Sequence, residues 1–292
     1  FTNNDALKKF SSIKKSIYLV GRIRSMREMG NVSFAHIQDE TGKIQIFLSK
    51  ENIGNEKYKF FIKNIDIGDF IEVKGNLFKT KSGEKTLKVE KWKILSKALK
   101  PLPSEWYGFK DEDNRHRYRY LDILFNPDVK EIIQKKAVFW SAVREFHLKN
   151  GFMEVETPVL ENTTGGADAR PFVTHHNALD LDLYLRISAG ELWQKRLMVA
   201  GFEKTFEIGR IFRNEGISTE HLQDYTQCEA YWAYSNMEEM YKFLQNCYKF
   251  VAKKTFGTLK FNIRGFKVDL GKKWPLIDYA LEIKNQTKID IW

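Results

Sequence analysis

Residues 206–234 read FEIGRIFRNEGISTEHLQDYTQCEAYWAY and constrain the fold more than any other stretch. Phe206, Ile208, Ile211 and Phe212 form one short apolar run, and Tyr225, Cys228, Ala230, Trp232 and Tyr234 form a second, with a polar connection from Gly216 to Asp224. Two strand-like runs joined in this way specify an antiparallel hairpin. Arg213, Glu215, His221, Glu229 and Tyr231 then lie on or beside the paired strands. An arginine leaving a strand presents a planar, permanently charged fork that fits a phosphate or a carboxylate in a geometry lysine cannot reproduce. That placement favours phosphoryl or acyl-phosphate chemistry, although a solvated hairpin with a surface ion pair would show the same lone FRNE.

The 292 residues are 42% hydrophobic and 14% aromatic, enough for two domains with proper cores and too apolar for a disordered chain. No apolar run approaches membrane-spanning length, and the first twenty residues hold no long apolar block with a cleavage site, so a soluble, cytoplasmic protein without a membrane partner is expected. The two cysteines, Cys228 and Cys247, sit in apolar patterns without CxxC spacing, which supports neither a disulfide framework nor zinc. His175 and His176 are adjacent on an expected strand and point to opposite faces, so no metal site is assigned to them. A formal charge of +10 attracts polyanions but does not by itself identify one.

From Ser16 to Leu95 the runs are short and alternating, with turn signals at Gly30, Gly42 and Gly83 and an amphipathic segment around Lys57 to Asn64. Five strands with a helix between the third and fourth is the order of an OB-fold barrel, a fold that stacks bases on aromatics beside polar edge-readers. The proline-containing segment KALKPLPSEWY follows. It sets an expected organisation of residues 1–97 as the barrel, 98–120 as linker and 121–292 as a second domain. In the linker Arg115, Arg117 and Arg119 form either a solvated basic face or a contact to RNA phosphates. Asn126-Pro127-Asp128 starts a helix whose apolar residues Val129, Ile132, Ile133, Val138, Phe139, Ala142, Val143 and Phe146 share a face, and Gly151 ends it before the strand GFMEVETPVL.

The segment FRNEG, a loop and EAY resembles motif 2 of the class II aminoacyl-tRNA synthetases, most closely the lysyl branch of class IIb. The helix and strand from Asn126 to Pro158 are similar to motif 1, and NTTGGADARPFVTHHNA and RPFVTHHNALDLDLYLRI also match the lysyl type. The resemblance covers nearly the whole chain and implies an α+β protein: an N-terminal OB-fold barrel, then a class II antiparallel sheet with flanking helices. It implies a lysine-tRNA ligase that uses ATP and magnesium, with tRNA(Lys) and L-lysine as partners and motif 1 as a homodimer interface. By the same resemblance Arg213 holds the α-phosphate and the amino-acid carboxylate, Glu215 the adenine end, His221 the outer phosphates, and Tyr225 stacks on the base. Gly166 and Glu191 serve the α-amino end of lysine, and Glu229 and Tyr231 the ε-ammonium end. A buried ammonium requires such a carboxylate and further acceptors. Phe34, Gln45 and Glu84 match residues that read the anticodon, with Arg22 and Arg27 adding backbone contacts. The pattern alone also allows Phe34 in the barrel core and Glu84 as a solvated turn residue.

Two departures stand out. The sequence ends at Trp292 before any motif 3, so a fragment is expected, with the magnesium ligands in the part beyond; and SAG at residues 188–190 is one residue longer than the usual loop before the glutamate. The competing readings are an aspartyl or asparaginyl class IIb synthetase, the lysine ligase that modifies elongation factor P, and a non-catalytic RNA-binding paralogue. The barrel argues against the second, and the anionic Glu229 with Tyr231 argues against the first.

Overall fold

The computed structural model describes residues 1–102, 109–216 and 218–291; residues 103–108 of the expected linker lie outside them. The chain divides into two compact units, Phe1–Pro127 and Asp128–Trp292.

The first unit opens with α1 (Asn3–Lys8), capped by Thr2, whose side chain accepts from the Asp5 amide. Then come β1 (Ile17–Met29), β2 (Val32–Gln38), β3 (Lys43–Ser49), α2 (Lys50–Ile53), α3 (Asn55–Asn64), β4 (Phe70–Lys79) and β5 (Lys85–Ser96). The strands close a barrel in the order β1-β2-β3-β5-β4, with β3 and β5 parallel and the other pairs antiparallel. Period-two alternation sends Leu19, Ala35, Ile37, Ile44, Ile46, Ile71, Val73, Leu87 and Val89 inward, where Tyr58 and Phe61 of α3 join them. Phe34 falls on the opposite, half-buried face of β2, so it is not a core aromatic.

Two short helices, α4 (Glu112–Arg117) and α5 (Arg119–Phe125), complete this unit. Here Arg115 and Arg119 are not an open basic face. Both converge on the buried carboxylate of Asp122, Arg115 Nε at 2.8 Å and Arg119 Nη1 at 2.5 Å, and Asn126 Nδ2 adds a third bond at 2.5 Å. Burial alone would raise the Asp122 pKa; the bonds from Arg115, Asn126 and Arg119 outweigh it and hold the carboxyl at about 2.

The second unit runs α6 (Pro127–Lys149), β6 (Met153–Glu154), β7 (Leu160–Glu161), β8 (Val173–His176), β9 (Leu181–Leu185), α7 (Glu191–Val199), β10 (Lys204–Phe212), β11 (Asp224–Trp232), α8 (Met237–Phe256), β12 (Lys260–Ile263), β13 (Phe266–Asp269) and α9 (Tyr279–Thr287). The expected hairpin is β10 and β11, in register from Lys204 opposite Trp232 to Phe212 opposite Asp224. The second strand stops short of Tyr234, which adopts φ 60° and is 93% exposed. The short β6 lies parallel to β10, while β7-β9-β8 and β12-β13 form separate small sheets.

α6 and α8 cover one face of the hairpin. Ala142, Val143 and Phe146 of α6 and Phe243, Cys247 and Val251 of α8 enclose Phe152 and Phe206. His147 stacks on Phe206 with ring centroids 4.7 Å apart and donates Nδ1–H to the Val143 carbonyl at 2.8 Å. Asn236 and Glu239 form a capping box at the start of α8, and Gly257 ends it in the left-handed conformation. The apolar face of α6 is buried only from Ala142 onward; Ile132, Ile133, Val138 and Phe139 of its first half are exposed. Burial pushes the Cys228 thiol up to about 12 and the Cys247 thiol to about 11, as expected of structural cysteines.

Candidate functional site

The hairpin supplies one wall of the site and residues 186–190 supply the other. Phe212 donates its backbone N–H to the Arg186 carbonyl at 3.0 Å, and Arg186 donates its own to Val159 at 2.9 Å, so this segment lies along β10. Its continuation, Ile187 to Gly190, is buried and bends over β11. Ser188 Oγ donates to Glu229 Oε1 at 2.8 Å, and the Ala189 backbone N–H donates to the same oxygen at 3.1 Å. Gln194 of α7 locks the bend from behind. Its Nε2 donates to the Ala189 carbonyl at 3.1 Å and the Glu229 carbonyl at 3.3 Å, and its Oε1 accepts from Thr205 Oγ1 at 3.0 Å.

Glycine is required twice here. A Cβ on Gly190 would lie 2.1 Å from Glu229 Oε2 and 2.9 Å from the Tyr231 ring. Gly166 has φ +91°, and its Cβ would lie 2.5 Å from the Glu191 Cβ. Gly166, Gly190, Glu191, Glu229 and Tyr231 are therefore gathered at one place. Glu191 opens α7 and pairs with Lys195 one turn on. Burial, and then the charge of Glu191, raise the Tyr231 phenol above its ordinary value and keep its proton on.

Arg213 stands where β10 ends. Its Nε donates to the Ile187 carbonyl at 3.3 Å, and its guanidinium carbon lies 5.7 Å from the Tyr225 ring centroid. A cavity of about 300 Å³ opens there, lined by Arg213, Glu215, Glu220, His221, Leu222 and Tyr225. Ser218 Oγ and His221 Nδ1, 2.7 Å apart, orient the imidazole. All four residues expected at a nucleotide thus line a single cavity, one Arg213 hydrogen bond away from the Ser188 to Gly190 bend. The donor set fits a nucleoside polyphosphate: a guanidinium and an imidazole for anionic oxygens, an aromatic ring for a base, and carboxylates for amino or hydroxyl groups.

A second cavity, of about 500 Å³, lies on the barrel, lined by Ser25, Met26, Arg27, Met29, Phe34, His36, Gln45, Thr80, Ser82 and Glu84. Phe34 shows its ring beside Phe47, with centroids 5.1 Å apart. Gln45 Nε2 donates to Glu84 Oε2 at 2.7 Å. Arg27 lines this cavity, whereas Arg22 gives its Nε to the Gly68 carbonyl at 3.1 Å and lies over the Phe70 ring.

Comparison with known families decides what carries these two sites. Residues 111–290 match the tRNA synthetases class II (D, K and N), and residues 17–95 match the OB-fold nucleic acid binding domain. The chain belongs to the class II tRNA synthetases. Among curated relatives, the lysine-tRNA ligase of Pelotomaculum thermopropionicum is 48% identical over 276 residues, 94% of this chain and 54% of that protein. The lysine-tRNA ligase of Thermoanaerobacter sp. (strain X514) is 46% identical over 94% of this chain and 55% of its own length, and that of Carboxydothermus hydrogenoformans is 45% identical over 95% and 57%. The chain spans about half the length of the curated relatives it matches.

The site residues that sequence reasoning missed are supports. Ser188, Gln194, Arg186 and Glu207 hold the bend, and His36 and Thr86 hold the barrel face; a single serine or glutamine carries no pattern that marks such a role. Among the described residues no group of three or more His, Cys, Asp or Glu side chains is placed to hold a metal ion. The magnesium that the family's chemistry implies finds no matching ligand set among them. Among the described residues, too, no helix is long and apolar enough to cross a membrane.

Proposed function

We propose that this chain carries the lysine-activating and anticodon-reading sites of a cytoplasmic lysine-tRNA ligase, with ATP, L-lysine and tRNA(Lys) as substrates. The observation that carries the reading is the seat of Glu229: one carboxylate oxygen is held by Ser188 and Ala189, and the other faces Gly190 and Tyr231. A carboxylate fixed by one oxygen is oriented before the ligand arrives, which reduces the ordering cost of binding an ammonium group. An aspartate or asparagine side chain would meet repulsion, or no matching donor, at the same place.

Lysine lies with its ε-ammonium on Glu229 and Tyr231 and its α-amino group toward Glu191 and Gly166, exchanging for Lys195 at the Glu191 carboxylate. Arg213 forks onto the amino-acid carboxylate and the α-phosphate, bringing two anions together that would repel in water. The amino-acid carboxylate is already ionised and attacks the α-phosphorus in line, giving lysyl-adenylate and pyrophosphate. No side chain has to remove a proton in that step. ATP supplies the activated phosphoryl group; Tyr225 stacks on its base, Glu215 accepts from the adenine amino group, and His221 meets the outer phosphates. The lysyl group then passes to the 3′ end of the tRNA, whose anticodon bases meet Phe34, Gln45 and Glu84. Homodimerisation through α6 belongs to the same reading.

Isothermal titration with lysine, aspartate and asparagine, each in the presence of a non-hydrolysable ATP analogue, tests this function. Lysine alone is expected to bind; binding of aspartate in its place overturns the lysyl assignment.

A further inference from the structure

Four residues on four successive barrel strands stand in one row: Ser25 of β1 is opposite His36 of β2, His36 opposite Gln45 of β3, and Gln45 opposite Thr86 of β5. Their side chains form a continuous hydrogen-bonded chain around the carboxylate of Glu84. Ser25 Oγ is 3.0 Å from His36 Nδ1, His36 Nε2 is 2.9 Å from Glu84 Oε1, Gln45 Nε2 is 2.7 Å from Glu84 Oε2, and Thr86 Oγ1 is 2.7 Å from Gln45 Oε1.

The direction of each bond follows from the inventory of donors. An ionised carboxylate only accepts, so both His36 Nε2 and Gln45 Nε2 must donate to Glu84. The Gln45 amide then has to turn its carbonyl oxygen toward Thr86, whose hydroxyl donates. In the neutral ring His36 Nδ1 is the acceptor and Ser25 donates to it. Thr86 is fully buried, 0% exposed, and does not line the cavity. Its hydroxyl also lies 3.2 Å from the Glu84 backbone carbonyl, so it supports both members of the pair without itself lining the cavity.

Each bond in the row therefore has a definite polarity, and Gln45 and Glu84 line the cavity with the donor and acceptors they have left. Gln45 keeps its second amide N–H, and Glu84 keeps a lone pair on each oxygen. A donor beside an acceptor fits a base edge with an acceptor beside a donor, as in the O4 and N3–H of uracil. Cytosine presents the reverse order. We infer that Thr86 and His36 are positioning residues that lock the polarity of the Gln45 and Glu84 pair, and that this lock sets the preference of the barrel face for keto over amino pyrimidines. The inference rests on the reading of this face as the RNA-binding one.

Binding of oligouridylate and oligocytidylate hexamers to the whole chain, followed by fluorescence anisotropy, is the test. The wild type is expected to favour the uridylate by about tenfold, the scale of one oriented donor and acceptor pair. Thr86→Val keeps the shape of the core but leaves Gln45 Oε1 without its donor, so the amide swings to water and the preference falls to about twofold or less. Thr86→Ser restores the hydroxyl and the preference. His36→Leu, at a partly exposed position, removes the donor from Glu84 Oε1 and is expected to reduce the preference as Thr86→Val does. Equal binding of both hexamers by the wild type overturns the lock, and so does a Thr86→Val variant that weakens both while keeping their ratio. Binding of neither hexamer removes the RNA-binding reading of the face, and the lock with it.

Discussion

Arg186 and Glu207 meet as a buried ion pair, Nη1 to Oε1 at 2.5 Å, with side chains 3% and 5% exposed. The pair is closed on all sides: Arg186 Nε donates to the Arg210 carbonyl at 2.9 Å, Arg186 Nη1 reaches Thr157, and Thr157 Oγ1 donates to Glu207 Oε2 at 2.6 Å. Beyond Arg186 the chain continues into the bend that holds Glu229, so this pair fixes the origin of the Glu229 end of the candidate site. Leaving one member alone would strand a buried charge, whereas removing both would not. Arg186→Met or Glu207→Leu alone is expected to cost about 3–5 kcal/mol in urea unfolding, and the double variant Arg186→Met/Glu207→Leu much less. If the double variant loses as much as the sum of the singles, the two residues do not act as a pair.

Glu229→Gln keeps the side-chain shape and removes the charge offered to an ammonium group. Lysine affinity measured by titration calorimetry is expected to fall at least 30-fold, roughly the cost of unpairing a buried charge. Ser188→Ala removes one of the two donors to Glu229 Oε1 and is expected to weaken lysine about three- to tenfold, the worth of one hydrogen bond. Unchanged lysine binding in Glu229→Gln would place the ammonium elsewhere.

Asp122 gives the first unit a specific acid sensitivity. Its folded-state pKa of about 2 lies below the unfolded value of 3.8, so the folded state binds its proton less readily. The stabilisation from Arg115, Arg119 and Asn126 is complete above 3.8 and is lost as pH falls toward about 2. Urea midpoints measured between pH 5 and about pH 2 should decline more steeply for the wild type than for Asp122→Asn, which should also be less stable at neutral pH. Parallel curves would assign the acid sensitivity to other carboxylates.

What could be read from the sequence follows from how locally each feature is encoded. Alternation within each run specified the barrel strands and the hairpin, because the inward residues of β2 and β3 recur every second position whatever their partners are. The charged and aromatic residues of FRNEG and EAY were legible because their types are costly to place without a purpose. Residues whose importance comes from a distant neighbour were not. Thr86 matters only because the register sets it opposite Gln45, and Arg119 changes from a basic surface residue to a buried-carboxylate ligand because α5 turns it back on Asp122. Tyr234 was read into the second strand by its alternation with Trp232, yet the chain turns at φ 60° and leaves it in solvent.

Arg213 is placed to act on charge rather than on protons, and this separates its effects on binding and on rate. Its guanidinium lies between the Ile187 carbonyl and the Tyr225 ring at the mouth of the cavity it lines, and among the described residues none of its hydrogen-bond partners is a carboxylate. A forked cation free of a carboxylate keeps its full field for the anions that meet in the transition state. Arg213→Ala should therefore lower lysine-dependent pyrophosphate exchange by at least about 100-fold, the scale for losing one oriented charge at a reacting centre, while thermal unfolding stays close to wild type. Arg213→Lys should recover only a small part, because a point charge cannot bridge two anions as a planar fork does. The measurement is made on the wild-type chain and both variants side by side, and near-normal exchange by Arg213→Ala would show that the carboxylate and the phosphate are brought together by another group.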